Sequence, residues 1–334
     1  MLQEHHNQGP AETATAHPSH LTLARVGSRV RSSTQKALRT WADVRFGAVA
    51  EDPSMNDSSG SERGFRFGVV VGGPQVVGQW TTIARRLESS GFATMLVPDN
   101  LDGPAPLIAA TAAAAATSTL RVGTFVAVAG LRSPAMLAWE AGTVQAISQG
   151  RFELGLGLGR PDADGDAERL GLRLGPNAGR VEQLRHVLTA IRELPDATRP
   201  PVLIAAGGPR MLRLAGEQAD IVALGTGLTA TAEDLAAAAG AVRWAARSRP
   251  APPELAANLM LAGDEEPPAW IAQRLGVDPL ALRSAGAAAV LTGSPAQMAD
   301  TLLRRREQTG ISYITGGMHL IEVLAPVVEK LAGR

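Results

Sequence analysis

The chain has 334 residues, of which 45% are hydrophobic, 19% charged and only 4% aromatic, a composition that fits a globular protein with a large aliphatic core. Lys+Arg and Asp+Glu both count 32, so no net field draws the chain to nucleic acid or to an anionic membrane. Cysteine is absent, which excludes disulfides, thiolate metal sites, iron–sulfur clusters and cysteine nucleophiles.

Residues 1–64 read apart from the rest. His5, His6, His17 and His20 sit among Gln, Pro, Thr and Ser; a mildly basic stretch from Arg25 to Arg45 surrounds Trp41; and Asp57–Gly64 is a Ser/Gly-rich hinge. This composition leads us to expect a disordered extension, or a start codon assigned upstream of Met55. An amphipathic helix that meets a partner or a membrane surface is the competing reading. The first thirty residues hold no apolar signal core, and the longest apolar stretch, Leu107–Ala129, contains Arg121. Neither a secretion signal nor a membrane span is therefore expected, and the cytoplasm is the default location.

From residue 65 to 334, short β-rich runs alternate with helical patterns. Phe65–Val71 is the first strand, followed by a helix through Trp80, Ile83 and Leu87 that stops at Gly91. Ala93–Val97 is the second strand, Pro104–Thr117 an Ala-rich helix, Leu120–Ala127 the third strand, and Ser133-Pro134 opens a helix to Gly150. Phe152–Leu158 is the fourth strand, and Val181, Leu184, Leu188 and Ile191 recur at helical spacing between Gly179 and Leu194. Val202–Ala206, Ile221–Leu224 and Leu255–Leu261 follow as strands, with helices over Pro209–Gln218 and Ala232–Ser248. A less regular segment, Glu265–Gly293, carries a strand-like Ala289–Thr292. Ser294-Pro295 then opens a helix to Thr309, Ile311–Thr315 is the eighth strand, and His319–Leu331 closes the chain.

Pro134, Pro209 and Pro295 stand at first helical positions, where a missing N–H costs nothing. The strands are continuous apolar runs, as expected when helices cover both faces of a parallel sheet. Eight strand–helix units of this size predict a (β/α)8 barrel, with an open doubly wound sheet as the alternative.

In such a barrel the chemistry lies in the loops after the strands. In Ala206-Gly207-Gly208-Pro209-Arg210 a strand, two glycines and a helix start would offer backbone N–H groups to a phosphate, with Arg210 adding charge; a tight turn needing glycine for geometry is the rival reading. Gly155–Gly159 has GxGxG spacing rather than GxGxxG, and Pro161 with Asp162, Asp164 and Asp166 follows where a helix should begin, so a Rossmann site is not expected. Asp99 after the second strand is either a turn cap or a catalytic group. His319 after the eighth strand is placed to exchange a proton or to cap the last helix, whereas His186 falls on a helix flank. Few histidines and no clearly spaced carboxylate pairs give no support to a metal centre or a hydrolytic triad, which hints that a cofactor supplies the reactivity.

At this point the residues resemble a known family. FGVVVGGPQ and ARRLESSGFATMLVPDN up to Asn100, LRVGTFV with LRSPAMLAWEAGTVQAISQGRFELGLGLGR up to Arg160, PPVLIAAGGPRMLRLAGEQADIVAL (Pro200–Leu224) and GSPAQMADTLLRRREQTGISYIT are similar to luciferase-like monooxygenases and their deazaflavin-dependent relatives. The resemblance covers Phe65 to Arg334. It implies a barrel whose coenzyme, F420 or alternatively FMN, lies across the strand ends. It places Asp99 and Asn100 beside the ring, and Thr124, Phe125 and Val126 in a strand-three bulge behind it, often with a non-proline cis peptide. Gly157 and Gly159 would line the coenzyme chain, and Ala206, Gly207, Gly208, Pro209 and Arg210 would form the phosphate cradle. Asn100 replaces the usual His, and the Leu194–Val202 connection is short, which together suggest a more open substrate pocket. The resemblance also implies a small organic substrate, a homodimer, and for FMN chemistry a separate reductase. Hydride transfer with a deazaflavin leads; an oxygen-using two-component monooxygenase, a coenzyme carrier without turnover and an unrelated sugar-phosphate enzyme are the alternatives.

Overall fold

The computed structural model describes residues 63–267 and 269–334. The N-terminal extension, with its four histidines and basic stretch, lies up to residue 62 outside the described residues. Eight staves form the body: β1 (Arg66–Val70), β2 (Thr94–Val97), β3 (Arg121–Thr124) continued by β4 (Ala127–Val128), β5 (Phe152–Gly157), β6 (Val202–Ala206), β7 (Ile221–Leu224), β8 (Glu254–Leu259) and β11 (Ile311–Gly317). Their order is β3-β2-β1-β11-β8-β7-β6-β5-β4, and β3 also pairs with β5 through Val122 and Phe152. That pairing closes the sheet into a parallel barrel and removes the open-sheet alternative.

The helices start and stop where local chemistry directs. Ser133 accepts a hydrogen bond from the Met136 amide ahead of the helix Pro134–Ile147. Thr231 with Asp234, and Ser294 with Gln297, form capping boxes on the helices Ala232–Ala245 and Pro295–Thr309, and each such cap contributes about 1 kcal/mol. Gly310 ends its helix at φ 70°, a left-handed conformation that costs glycine little. Helix C-terminal carbonyls are met by arginines of neighbouring segments: Arg151 donates to Ala114 O, Arg249 to Gly216 O, and Arg243 to Thr309 O.

Inside the barrel, alternate residues of each strand share a face, and they sort by height. The bottom, at the strand N-termini, is charged. Arg66 donates to Glu153 (2.5 Å), to both oxygens of Glu254 (2.7 Å to Oε2) and to Thr94, while Arg121 Nε donates to Glu153 at 2.7 Å. The Arg66 guanidinium also lies 3.6 Å over the ring of Tyr313. Burial opposes ionisation of Glu153, but Arg66 and Arg121 outweigh it and hold the carboxyl below the ordinary range. Above this plug, Leu96, Leu203, Ile221, Ala223, Ala256 and Tyr313 form the apolar middle, with Val70, Phe125, Val126 and Ala205 half-buried against it.

Glu88 fixes the entry to β3. Its Oε1 accepts from the amides of Ser118, Thr119 and Leu120 at 2.6–3.0 Å. Although burial works against the charge, these amides bring the carboxyl down to about 2 from its ordinary value near 4.5. A carboxylate with a depressed folded value contributes stability at pH above its unfolded value, and that contribution fades as pH falls toward the folded one. Glu88→Ala should therefore lose about 1 kcal/mol at pH 7, after allowing for solvent screening. In thermal melts the gap to wild type should shrink between pH 4.5 and 2; an equal gap at both ends would refute the assignment.

Four sequence expectations are corrected. The third strand is not continuous, because Phe125–Val126, joined by a cis peptide, interrupts it. The seventh stave ends at Leu259; Leu261–Ala262 (β9) turns away to pair with Val290–Leu291 (β10) in a separate two-stranded sheet, with its own core of Leu261, Ile271, Leu282, Ala287 and Val290. The acidic loop after β5 folds into a helix, Ala163–Arg169. The short Leu194–Val202 connection runs from the helix Asn177–Arg192 to the start of β6, so it lies at the bottom of the barrel and cannot open a pocket at the mouth.

Candidate active site at the barrel mouth

His186 lies on the exposed side of the helix Asn177–Arg192 beside Glu182; the other candidates of the described barrel stand toward the strand C-termini, where the rim divides them into separate groups. The first group is tightly packed. Thr124 is fully buried and donates from Oγ1 to Gly155 O at 2.6 Å. A Cβ on Gly155 would stand 1.9 Å from Thr124 O, and one on Gly157 would stand 2.5 Å from Val126 Cγ2. The alternating glycines of β5 are thus accounted for by the interrupted third stave pressing on them. Gly159 needs its φ of 93° and would bring a Cβ to 2.8 Å from Ala163, so it serves the turn into the following helix.

Asp99 belongs to this group as a brace. Its Oδ2 accepts from Val128 N at 3.0 Å and from Arg132 Nη1 at 2.6 Å, and its Oδ1 from Arg132 Nη2 at 3.1 Å. The carboxylate is 7% exposed. A bidentate guanidinium pair of this kind fixes geometry as well as charge; it ties the loop after β2 to the segment after β4. Asn100 is half-buried, its carbonyl accepts from Gly103 N, and its amide makes no hydrogen bond among the described residues.

The second group is the β6–helix junction. Ala206 is buried, while Gly207, Gly208, Pro209 and Arg210 are exposed. Gly207 and Gly208 have different reasons to be glycine. A Cβ on Gly207 would stand 2.3 Å from Gly225 O, so packing against the neighbouring loop demands it. Gly208 has φ −88° and nothing within 4 Å of a Cβ, so neither conformation nor the chain itself requires glycine there. Unlike Ser133, Thr231 and Ser294, it caps its helix, Pro209–Gln218, with no side-chain acceptor. Met211 and Leu212 donate back to Gly208 O; the amides of Gly208 and Arg210 meet no acceptor among the described residues, and neither does the Arg210 guanidinium. Open amides, the positive end of a helix dipole and a guanidinium are features that favour an anion.

The third group is around His319, beyond β11. Its Nε2–H donates to Met260 O at 2.9 Å, and the Trp270 ring meets it edge-on, with centroids 5.5 Å apart. Just below, Thr315 Oγ1 and Asn258 Oδ1 are 2.9 Å apart. Sequence reasoning missed Asn258, Thr315, Trp270 and the pairing of Arg132 with Asp99. A polar Asn inside the run Leu255–Leu261 was the available signal for the first.

These features describe a closed parallel barrel with open backbone amides after its fifth stave and a mouth braced by Asp99 and Arg132. The sequence profile of the luciferase-like monooxygenase family matches residues 64–275, and the chain belongs to that family. An F420-dependent glucose-6-phosphate dehydrogenase from Intrasporangium calvum is 32% identical over 166 residues, covering 40% of this chain and 50% of that protein. The chain spans about half the length, or less, of the curated relatives it matches. The oxygenating constituent of 3,6-diketocamphane monooxygenase from Pseudomonas putida, solved with FMN, superposes with a TM-score of 0.64 at 15% identity, over 80% of this chain and 98% of that one. The coenzyme F420-dependent tetrahydromethanopterin reductase of Methanopyrus kandleri gives 0.58 at 17%, over 80% and 98%. At these identities the two structures share the fold.

Proposed function

We propose that the barrel mouth holds a flavin-type coenzyme by its phosphate, and that the protein is an oxidoreductase acting on a small organic molecule. The observation that carries this reading is Gly208: a glycine with no steric reason of its own, at a helix N-terminus without a side-chain cap, beside an arginine that has no partner among the described residues. The residues fit a phosphate. The amides of Gly208 and Arg210 would donate to its oxygens and Arg210 would balance its charge, while Gly207 keeps the loop close to Gly225. Phe125 and Val126, half-buried and backed by the buried Thr124 and Gly157, would form a wall for a flat ring, and the Arg66–Glu153 plug closes the barrel beneath it. When bound, a deazaflavin supplies a hydride, or takes one up.

The chain's own part is to bind, orient and exclude water. Asp99, fully engaged by Arg132 and Val128, holds two mouth loops together rather than moving a proton. Asn100, whose side-chain amide is uncommitted, is the group after β2 that can donate to a substrate oxygen. We favour F420 over FMN, because the relative with the higher identity of those above is named F420-dependent. The FMN alternative is a two-component monooxygenase served by a separate reductase. Fluorescence titration of the purified protein tests the reading: binding of deazaflavin in the micromolar range supports it. If neither deazaflavin nor FMN binds below about 1 mM, where binding free energy is only about −4 kcal/mol, it fails. Oxygen uptake that depends on an added reductase would move the assignment to FMN chemistry. Binding without substrate-dependent turnover would leave a coenzyme carrier.

A homodimer is part of the same proposal. The adjacent helices Pro106–Ala115 and Pro134–Ile147 expose Ile108, Met136, Trp139 and Ile147, apolar side chains that a second copy would cover. Sedimentation should show a dimer in the wild type and a monomer for Trp139→Lys; a monomeric wild type would contradict this.

A further inference from the structure

We propose that Trp270 is the substrate-side wall of the mouth and that the substrate is a neutral, apolar molecule; this rests on the mouth being the reaction site, as proposed above. The excursion between β8 and the helix Pro295–Thr309 is not a loose loop. Met260 N donates to Ala289 O, Ala288 N to Ala230 O, and Arg305 to Ala288 O and Val290 O. Arg283 donates to Gly263 O and Glu265 O. On this anchored platform the short helix Ala269–Leu275 buries Ile271 in the local core and leaves Trp270 48% exposed.

Position gives the exposure meaning. β8 and β11 are adjacent staves, paired through Leu259 and Gly316, and the chain leaves both at the mouth. His319, just beyond β11, donates to Met260 O, just beyond β8, and the indole stands edge-on to the imidazole. Trp270 therefore stands beside the seam between two stave ends, edge-on to His319. An indole left 48% exposed has apolar area left to bury, and such aromatics dominate binding surfaces. His319 acts through Trp270: it is a positioning residue, with its Nε2–H already committed to a carbonyl. The rest of the rim agrees. Val77 after β1, Leu101 after β2, and Leu170 and Leu172 after β5 are all exposed. Four rim arginines are already held by carboxylates: Arg132 by Asp99, Arg160 by Asp162, Arg169 by Asp166 and Arg180 by Asp164. With Arg210 taken by the coenzyme phosphate, a phosphorylated or carboxylated substrate would compete with these carboxylates, or rely on the exposed Arg173.

Calorimetric titration of the deazaflavin-treated full chain with 2-alkanones from six to ten carbons, and with glucose 6-phosphate, tests the proposal. The ketones should bind with affinity rising roughly fourfold per methylene, and glucose 6-phosphate should give no saturable heat. Trp270→Ala should weaken ketone binding at least tenfold, Trp270→Phe less, and neither should change deazaflavin affinity. Glucose 6-phosphate binding as tightly as the ketones, no saturable ketone binding, or ketone binding indifferent to Trp270→Ala would each overturn it. Deazaflavin affinity is read in the same samples. Retained coenzyme binding with any of those results sinks only this inference, whereas absent coenzyme binding sinks the proposed function.

Discussion

Gly208→Asp is expected to leave the barrel at least as stable as the wild type while lowering coenzyme affinity by a hundredfold or more. The two effects have opposite signs because they act on the same four atoms of space. Gly208 sits at the N-cap of its helix with φ −88° and ψ 159°, an extended conformation open to any residue, and no atom lies within 4 Å of a Cβ there. Aspartate is among the preferred N-caps: its carboxylate would accept the orphan helix amides and gain a few tenths of a kcal/mol over glycine. The same carboxylate would take the place of a phosphate and repel it, a loss of about 3 kcal/mol for a hundredfold change. Gly207→Ala is the contrast, since its Cβ would meet Gly225 O at 2.3 Å and the loop must move. It should cost both stability and affinity. Thermal melts and deazaflavin titrations on the two variants check this; a Gly208→Asp protein that binds the coenzyme as the wild type does would rule out the cradle.

The largest stability loss is expected at the other end of the barrel. Replacing Glu153 by Met removes the carboxylate shared by Arg66 and Arg121 at the barrel floor, where Glu254 pairs with Arg66. Breaking one partner of a buried ion network costs about 3–5 kcal/mol, whereas replacing cation and anion together by apolar groups of similar volume recovers much of it. Urea denaturation should show that loss for Glu153→Met and a smaller one for the double variant Glu153→Met with Arg121→Met. Acid should tell the same story. Because the folded carboxyl titrates below the ordinary range, its contribution is complete above about pH 4.5 and falls away as pH drops toward the folded value. The wild type should therefore approach the variant in acid. A loss under about 1 kcal/mol at pH 7 would mean that the plug contributes little.

Much of the fold was legible because its signals are local. Pro134, Pro209 and Pro295 at helix starts, Gly310 at a helix end and continuous apolar strands each report a backbone preference that the tertiary structure keeps. Closure was not legible, since it depends on β3 meeting β5 across the barrel, a contact that strand counting does not contain. The charged floor was written in the sequence and went unread. Phe65-Arg66-Phe67-Gly68, Leu120-Arg121-Val122-Gly123 and Phe152-Glu153-Leu154-Gly155 repeat one pattern, a lone charge among apolar residues followed by glycine, at the start of three strands.

The site was less legible for a related reason. A glycine in a sequence does not say whether packing or a ligand requires it. Gly155, Gly157 and Gly207 are claimed by neighbouring atoms of the chain, and Gly208 is the one in the cradle that is not. Asp99 looked like a candidate acid or base because its position was visible, but its bidentate partner Arg132 lies 33 residues away in the chain. Trp270 was hidden in the least regular segment, where only the separate β9–β10 sheet reveals that the backbone is anchored.

The central claim is that the amides of Gly208 and Arg210 hold the phosphate of a redox coenzyme lying across the mouth. A crystal structure of the protein soaked with deazaflavin, and in parallel with FMN, tests it most directly. The account predicts phosphate oxygens within hydrogen-bond distance of both amides and of the Arg210 guanidinium, with the ring against Val126 and Gly157. A ring absent from the mouth, or a phosphate bound elsewhere on the rim with Gly208 still facing open solvent, would contradict it.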